Sequence, residues 1–524
     1  MFRPELECLR RDVKTSCVQS VLRHGVDALR SVRRRRLAFS SARRARTRCL
    51  LLIAAVGASG CIAPAYHNSR LELADPTAGY RFDALFPETE GDGDALFVCL
   101  TFSGGGLRAA ALSYGVMQEL AATLVRVGDD ASAPRRLLDE TDVISSVSGG
   151  SFTSAAFGTW GDAMFDGRYE QRVLRRDLES GLIGHMLAPR NFFLLPFILL
   201  DTVDVAADYY DRRVFDEVRY RDLLERGSRP YVVINATNLA LGRGFEFTQA
   251  DFDVLGSDLG ALPLGYAVAA SSAFPIVFSP MRLRYFPQAE GCDVRSELVN
   301  SPEARLADAR RQAWAKSITR FRATPDGVRC ELDEFDHRFC YVVDGGLCDN
   351  LGLTHVIQEY QHGYIRRRIQ EGRIRRLLII VVDAGHRPKE AIERQAASPG
   401  LLTIGYKTAV TGIENHNETL VRMTRLLVSG SAEVREAYAR CLEEFQGACP
   451  DVAPPAEFLL PPTDAYVAHV HFQAIKDDLQ RERCLNMPTR LSLPPWDVEE
   501  LIRVGREVLV RDPEFQRFLK DAGV

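Results

Sequence analysis

Val143-Ile144-Ser145-Ser146-Val147-Ser148-Gly149-Gly150-Ser151-Phe152 is the stretch whose reading decides the fold. An apolar pair brings a strand to its end near Ser145, small residues then crowd the chain into a tight turn, and a helix runs on toward Phe157. A serine on such a strand-to-helix turn has its hydroxyl lifted to the edge of the sheet, and small neighbours let the backbone turn that sharply. The helix N-terminus behind it favours developing negative charge. Ser145 and Ser151 compete as nucleophiles, but only Ser148 has Ser or Gly two positions away on each side. Ser146 stands where the Gly-x-Ser-x-Gly pattern has its first glycine, and serine is small enough to fit. Read alone, the loop also fits a Ser/Gly-rich helix cap.

Upstream, Leu96-Phe97-Val98-Cys99-Leu100-Thr101-Phe102 is a continuous apolar run of the kind that marks a strand buried on both faces. It opens into Ser103-Gly104-Gly105-Gly106-Leu107-Arg108 and an Ala-rich helix. Consecutive glycines let backbone N–H groups converge at a helix N-terminus, which makes an anion-binding concavity suited to the oxygen of a tetrahedral intermediate. A structural turn or a phosphate cradle would look similar, although the Gly-Lys-Ser/Thr ending of a P-loop is missing. Downstream, Tyr341-Val342-Val343 leads into Asp344-Gly345-Gly346-Leu347-Cys348-Asp349-Asn350. A carboxylate at a strand end can accept the proton of a nearby serine, and the two glycines leave a substrate room to approach.

Further runs at Tyr231 to Ile234 and Leu377 to Val382 alternate with helix-like segments such as Leu107 to Leu124 and Leu351 to Gln370. The alternation predicts an α/β fold, three layers with a mostly parallel central sheet and sites at the carboxyl ends of strands. Asn191 to Leu200 is apolar but only about ten residues long, with a proline inside, and reads as a buried segment or a membrane-touching lid. Glu297 to Asp336 is charged and reads as a surface insertion.

The triple-glycine turn, the Ser148 elbow and Asp344-Gly345-Gly346, in this order, resemble the patatin-like phospholipases. A fourth likeness is Ala267-Val268-Ala269-Ala270-Ser271-Ser272-Ala273-Phe274-Pro275, and the resemblance covers about residues 96 to 390. It implies a patatin-like fold and a Ser-Asp dyad without histidine. On that resemblance Ser148 is the nucleophile, Asp344 the base, and the amides of Gly104, Gly105 and Gly106 the oxyanion hole, with no metal or cofactor. Phospholipids or other lipid esters are the implied substrates. Arg108 would favour an anionic headgroup near the mouth, with a helix-surface salt bridge equally open to it. A conventional triad would instead recruit His386 or His416. His469 and His471 share one face of a strand but have no third metal ligand at matching spacing. Two other readings stay open: a silent lipoprotein of this fold serving lipid binding or envelope assembly, and a lipid acyltransferase.

The 524 residues are 46% hydrophobic and 26% charged, as in an ordinary globular protein. The net charge of -4 conceals a division: residues 1–48 hold 14 Lys/Arg against 4 Asp/Glu, the remainder 52 against 66. An acidic body argues against nucleic acid as a partner. Arg43 to Arg48, the apolar Leu50 to Val56 and small Ala58-Ser59-Gly60 before Cys61 resemble a bacterial lipoprotein signal, with Ala58 where that pattern usually has Leu. Cys61 would carry the lipid, holding an exported protein at a membrane surface of the cell envelope; a plain secretory signal or an uncleaved anchor is the alternative. The expected organisation is a leader over 1–60, a tether over 61–94, the acyl hydrolase domain over 95–390 and a mainly helical extension over 391–524 packed on it. Twelve cysteines are too few for a disulfide scaffold at this length. Cys441 with Cys449, and the group Cys292, Cys330 and Cys340, are candidates for bridging in an oxidising compartment. Oligomeric state is not encoded in any of these features.

Overall fold

Three of the central strands are buried along their whole length because both faces of the sheet are covered, so polar residues among them, such as Asp142 and Asn235, are buried as well. β1 (Leu96–Phe102), β2 (Thr141–Val147) and β3 (Tyr231–Asn238) are buried at every position. Between and after them come α1 (Gly106–Ala122), α2 (Gly149–Trp160) and α3 (Thr202–Arg213), then β4 (Arg243–Glu246), α4 (Leu264–Ser271), β5 (Met281–Arg284) and β6 (Phe339–Asp344). The chain continues through α5 (Leu353–Gln361), β7 (Arg376–Asp383), β8 (Asp464–His471), α6 (Pro495–Arg511) and α7 (Pro513–Asp521). This computed structural model describes residues 67–524 except 73–74, 76, 87–95, 127–133, 189–200, 228, 276, 287–308, 325–326, 333–336, 386–411, 414–415, 429–439, 445–446 and 448–462, and the side chains of 320–331. Cys61, His386 and the apolar stretch 191–200 therefore lie outside the described residues.

One eight-stranded sheet runs β8-β7-β1-β2-β3-β6-β5, with β4 paired to β3 off this path. β8, β7, β1, β2 and β3 are mutually parallel, whereas β4, β5 and β6 run antiparallel to their neighbours. With helices on both faces this is the mostly parallel three-layer α/β/α architecture expected from the alternation. Among the described residues no helix is long and apolar enough to cross a membrane.

The register around β3 positions the chemistry. Asn235 lies opposite Val147 of β2 and also opposite Glu246 of β4, and Ala236 lies opposite Phe245 of β4 and Asp344 of β6. β4 occupies one edge of β3, so β2 and β6 share the other and meet there end to end.

The C-terminal part differs from the expected helical extension. β8 pairs in parallel with β7 over its whole length and completes the sheet, so residue 390 is no domain boundary. α6 buries Val498, Leu501, Val504, Gly505, Val508 and Leu509 against α1. The two helices meet at glycines: a Cβ on Gly115 would lie 2.1 Å from the Ile502 carbonyl oxygen, and one on Gly505 2.4 Å from that of Leu112. The expected surface insertion also departs from expectation, because a helix at Ala309–Ser317 is tied inward. Arg310 and Arg311 pair with the fully buried Asp251 at 2.8 and 2.5 Å and with the buried Glu246 at 3.3 and 3.1 Å. Of the cysteines considered for bridging, Cys340 and Cys441 are free thiols, while Cys292, Cys449 and the Cys330 side chain lie outside the described residues.

Candidate active site

Because β2 and β6 abut along one edge of β3, the residue after Val147 and the last residue of β6 are brought together. These are Ser148 and Asp344. The Ser148 side chain is close enough to the Asp344 carboxylate to lower its pKa, and Asp344 Oδ1 accepts the Gly346 N–H at 2.8 Å. Ser148 has φ 47° and ψ -116°, a conformation that an L-residue reaches at a cost of about 1–3 kcal/mol and keeps only when its surroundings impose it. It is half-buried, while Asp344 is only 6% exposed. Burial pushes the Asp344 carboxyl up to about 6, against the lowering effect of the Gly346 hydrogen bond and the Ser148 side chain. A carboxylate so poised is a competent proton acceptor near neutral pH.

The neighbouring serines are excluded by their partners. Ser145 is buried and its hydroxyl donates to the Gly352 carbonyl at 2.7 Å. Ser146 is buried, 2.6 Å from the Ser154 hydroxyl, so the serine replacing the elbow's usual first glycine points into the interior and leaves the turn intact. Ser151 is buried with its hydroxyl 3.1 Å from that of Ser271. Three side chains absent from the sequence-based site support the turn. Asn235 donates to Ser145 Oγ and to the Ser146 carbonyl. Ser271 accepts the Ser148 N–H at 2.8 Å. Asn350 places Oδ1 close above both Gly104 and Gly346, where a Cβ would meet it at 2.4 and 2.9 Å. The apolar character of the Ala267–Pro275 block hides Ser271, which reads as helix packing.

The glycine turn lies directly over the elbow. A Cβ on Gly149 would fall 2.0 Å from the Gly106 carbonyl oxygen, and one on Gly104 would touch the Ser148 Cβ at 3.4 Å, so the two backbones approach as only glycine permits. Gly104 donates its N–H to the Asn350 carbonyl at 2.9 Å, which leaves the amides of Gly105 and Gly106 as the candidates within the turn for holding an oxyanion. The Ser148 amide is likewise committed, to Ser271.

Arg108 does not reach a headgroup site. It is 2% exposed, and its guanidinium donates to the Ala384 carbonyl at 3.0 Å, to the Met487 carbonyl and to Thr489 Oγ1 at 3.3 Å. The expected cation at the mouth is instead a buried tie that binds α1 to the end of β7 and to the segment before α6. That segment crosses the glycine turn, with the Arg490 carbonyl accepting the Leu107 N–H at 2.8 Å.

Among the described residues no hydrogen bond or ion pair joins a histidine to Ser148 or Asp344. His416 is exposed on a helix at 416–428. His469 and His471 stack with centroids 4.2 Å apart, and His469 Nε2 lies 3.7 Å from Asp383 Oδ2. Burial and the neighbouring His469 lower His471 to about 4, which keeps it neutral.

Residues 100–357 match the family described as Patatin-like phospholipase, and through that domain the chain belongs to the family. No curated protein matches the chain in sequence. Among solved structures it is similar to human GIVD cytosolic phospholipase A2, with 14% identity, 84% of this chain and 62% of that chain covered, and a TM-score of 0.39. It is also similar to VipD from Legionella pneumophila, with 10% identity, 82% and 67% covered, and a TM-score of 0.30. The chain thus spans less than two thirds of the human phospholipase's length.

Proposed function

We propose that this chain is a serine-dependent lipid acyl hydrolase that works through Ser148 and Asp344. The observation that carries the reading is the strained Ser148 turn, which holds a hydroxyl against a buried carboxylate whose acidity is shifted toward neutrality. Asp344 takes the Ser148 proton as Oγ attacks the ester carbonyl carbon, and the carbonyl electron pair moves onto oxygen beneath the Gly105 and Gly106 amides. Each such amide is worth about 3 kcal/mol in the transition state. Collapse of the intermediate expels the alcohol, which leaves with the proton from Asp344, and an acyl ester of Ser148 remains. Water then attacks that ester, giving its proton to Asp344, and the fatty acid departs as Ser148 recovers its hydrogen. The steps call on no metal and no cofactor.

Family membership supports phospholipid or another lipid ester as substrate. A lipid on Cys61 would hold the site at a membrane surface in the cell envelope, as the leader sequence suggests. The silent reading rested on Ser146, and the burial of that side chain removes its motive. The test is release of fatty acid from phosphatidylcholine and phosphatidylglycerol vesicles by the wild type, Ser148→Ala and Asp344→Asn. Both variants should lose a thousandfold or more, and only the wild type, which has both the Ser148 hydroxyl and its base, should label with a fluorophosphonate at an appreciable rate. Equal release by all three rejects the assignment. Acyl transfer to an added alcohol in place of free fatty acid would mark a transferase.

A further inference from the structure

The last residue of α4, Ser271, is fully buried and plays no part in the chemical steps above, yet its hydroxyl is saturated with contacts to the reacting turn. The directions of these hydrogen bonds follow from the groups involved. The Ser148 N–H can only donate, so Ser271 Oγ accepts from it at 2.8 Å. The Asn235 carbonyl can only accept, so the single Ser271 hydrogen goes to it at 2.6 Å. Ser151 Oγ, at 3.1 Å, must then be the donor to Ser271. Two residues on, the Ala273 carbonyl accepts the Asp344 N–H at 3.0 Å. The end of one helix therefore grips the backbone of both Ser148 and Asp344, and Asn235, the third anchor, is the residue of β3 that lies opposite Val147.

We infer that Ser271 is a positioning residue for acyl transfer: its hydroxyl fixes the Ser148 amide, and with the Ala273 carbonyl it sets the spacing between the Ser148 hydroxyl and the Asp344 carboxylate. This rests on the reading of Ser148 and Asp344 as the reacting pair. A residue at φ 47° returns to ordinary conformations unless its amide is held, and a buried N–H without an acceptor is itself unfavourable. Loss of the Ser271 hydroxyl frees the turn to sample orientations in which Oγ no longer lies along the line of attack. The fraction of time spent aligned then falls, while the exposed surface around the site is unchanged because Ser271 is fully buried.

The experiment compares Ser271→Ala with Ser154→Ala in the full chain. Ser154→Ala removes a buried hydroxyl near the same turn that does not touch the Ser148 amide. For Ser271→Ala, kcat should fall tenfold or more with KM within twofold of wild type. The rate of fluorophosphonate labelling at saturating probe should fall by a similar factor, and the acid limb of the pH profile should stay in place. Ser154→Ala should keep kcat and labelling within twofold. Should Ser271→Ala not fold, as judged by circular dichroism, Ser271→Cys is read in its place: it keeps the volume but offers only a poor acceptor, and the same tenfold fall is expected. The inference is overturned if the folded Ser271 variant stays within twofold of wild type in kcat and labelling, or if Ser154→Ala loses as much. A wild type that does not label, or labelling that survives Ser148→Ala, would instead overturn the assignment of Ser148 itself.

Discussion

Changing Asp344 to Asn should abolish hydrolysis and, above neutral pH, make the protein more stable. In the folded chain burial raises the Asp344 carboxyl from the ordinary 3.8 to about 6. The folded state thus holds this proton more tightly than the unfolded state does. The stability that Asp344 contributes is full below about pH 3.8 and is lost as pH rises through about 6. A shift of about two units corresponds to roughly 3 kcal/mol. Asn cannot ionise and so escapes this loss, while its Oδ1 can still accept the Gly346 N–H and its amide can donate to Ser148 Oγ. The assay is urea unfolding of wild type and Asp344→Asn at pH 4 and pH 8, read as the difference between the two proteins so that other titrating groups cancel. The variant should gain about 3 kcal/mol at pH 8 and little or nothing at pH 4. A variant no more stable than wild type at pH 8, or a difference unchanged between the two pH values, would refute the argument that the base is kept charged against its surroundings.

The same carboxyl should set the acid limb of the rate profile: kcat/KM falls as pH drops through about 6, and a limb centred below 4.5 would mean that another group is being observed. Arg108→Ala should destabilise the fold by about 2–3 kcal/mol by orphaning the Ala384 and Met487 carbonyls, with equal effects on anionic and zwitterionic vesicles. An effect confined to anionic lipid would restore Arg108 as a headgroup contact. Gly115→Ala at the α1–α6 crossing should cost about 1–3 kcal/mol in unfolding experiments, because a Cβ there meets a backbone oxygen rather than a movable side chain; an unchanged unfolding midpoint would show that the helices can separate freely. Cys61→Ser should move the protein expressed in a bacterial host from the detergent phase to the aqueous phase on Triton X-114 partition, and unchanged partition would point to an anchor other than a lipid on that residue.

What could be read from the sequence follows a physical division between local and distant causes. β1, β2, β3 and β7 announce themselves through short apolar runs that burial on both faces favours, and the glycines at 104–106 and 149–150 because close backbone approach excludes a Cβ. Ser148 and Asp344 were legible as strand-end residues, but their meeting depends on β2 and β6 sharing one edge of β3, a pairing with no local signature. The strand spacing of His469 and His471 marked β8 as extended, but its place in the main sheet was not legible, because Asp464–His471 sits at the sheet edge and mixes exposed and buried positions. Arg108 was misread because its acceptors, Ala384, Met487 and Thr489, lie some 275 to 380 positions away in sequence. Ser271 was hidden among small residues whose evident use is close packing.

The position of β7 in the sheet bears on how short this chain can be made. Residues 100–357 carry every group assigned to the chemistry, yet β1, which delivers the glycine turn, has β7 as its neighbour on the side away from β2. A chain cut after residue 357 would lay bare one whole border of β1, an invitation to pair with other molecules, and would also lose the stretch through Arg490 that backs the turn. The smallest chain that keeps the sheet intact is therefore longer than its recognisable domain, and the residues beyond 357 that supply β7 and Arg490 are scaffolding for the site.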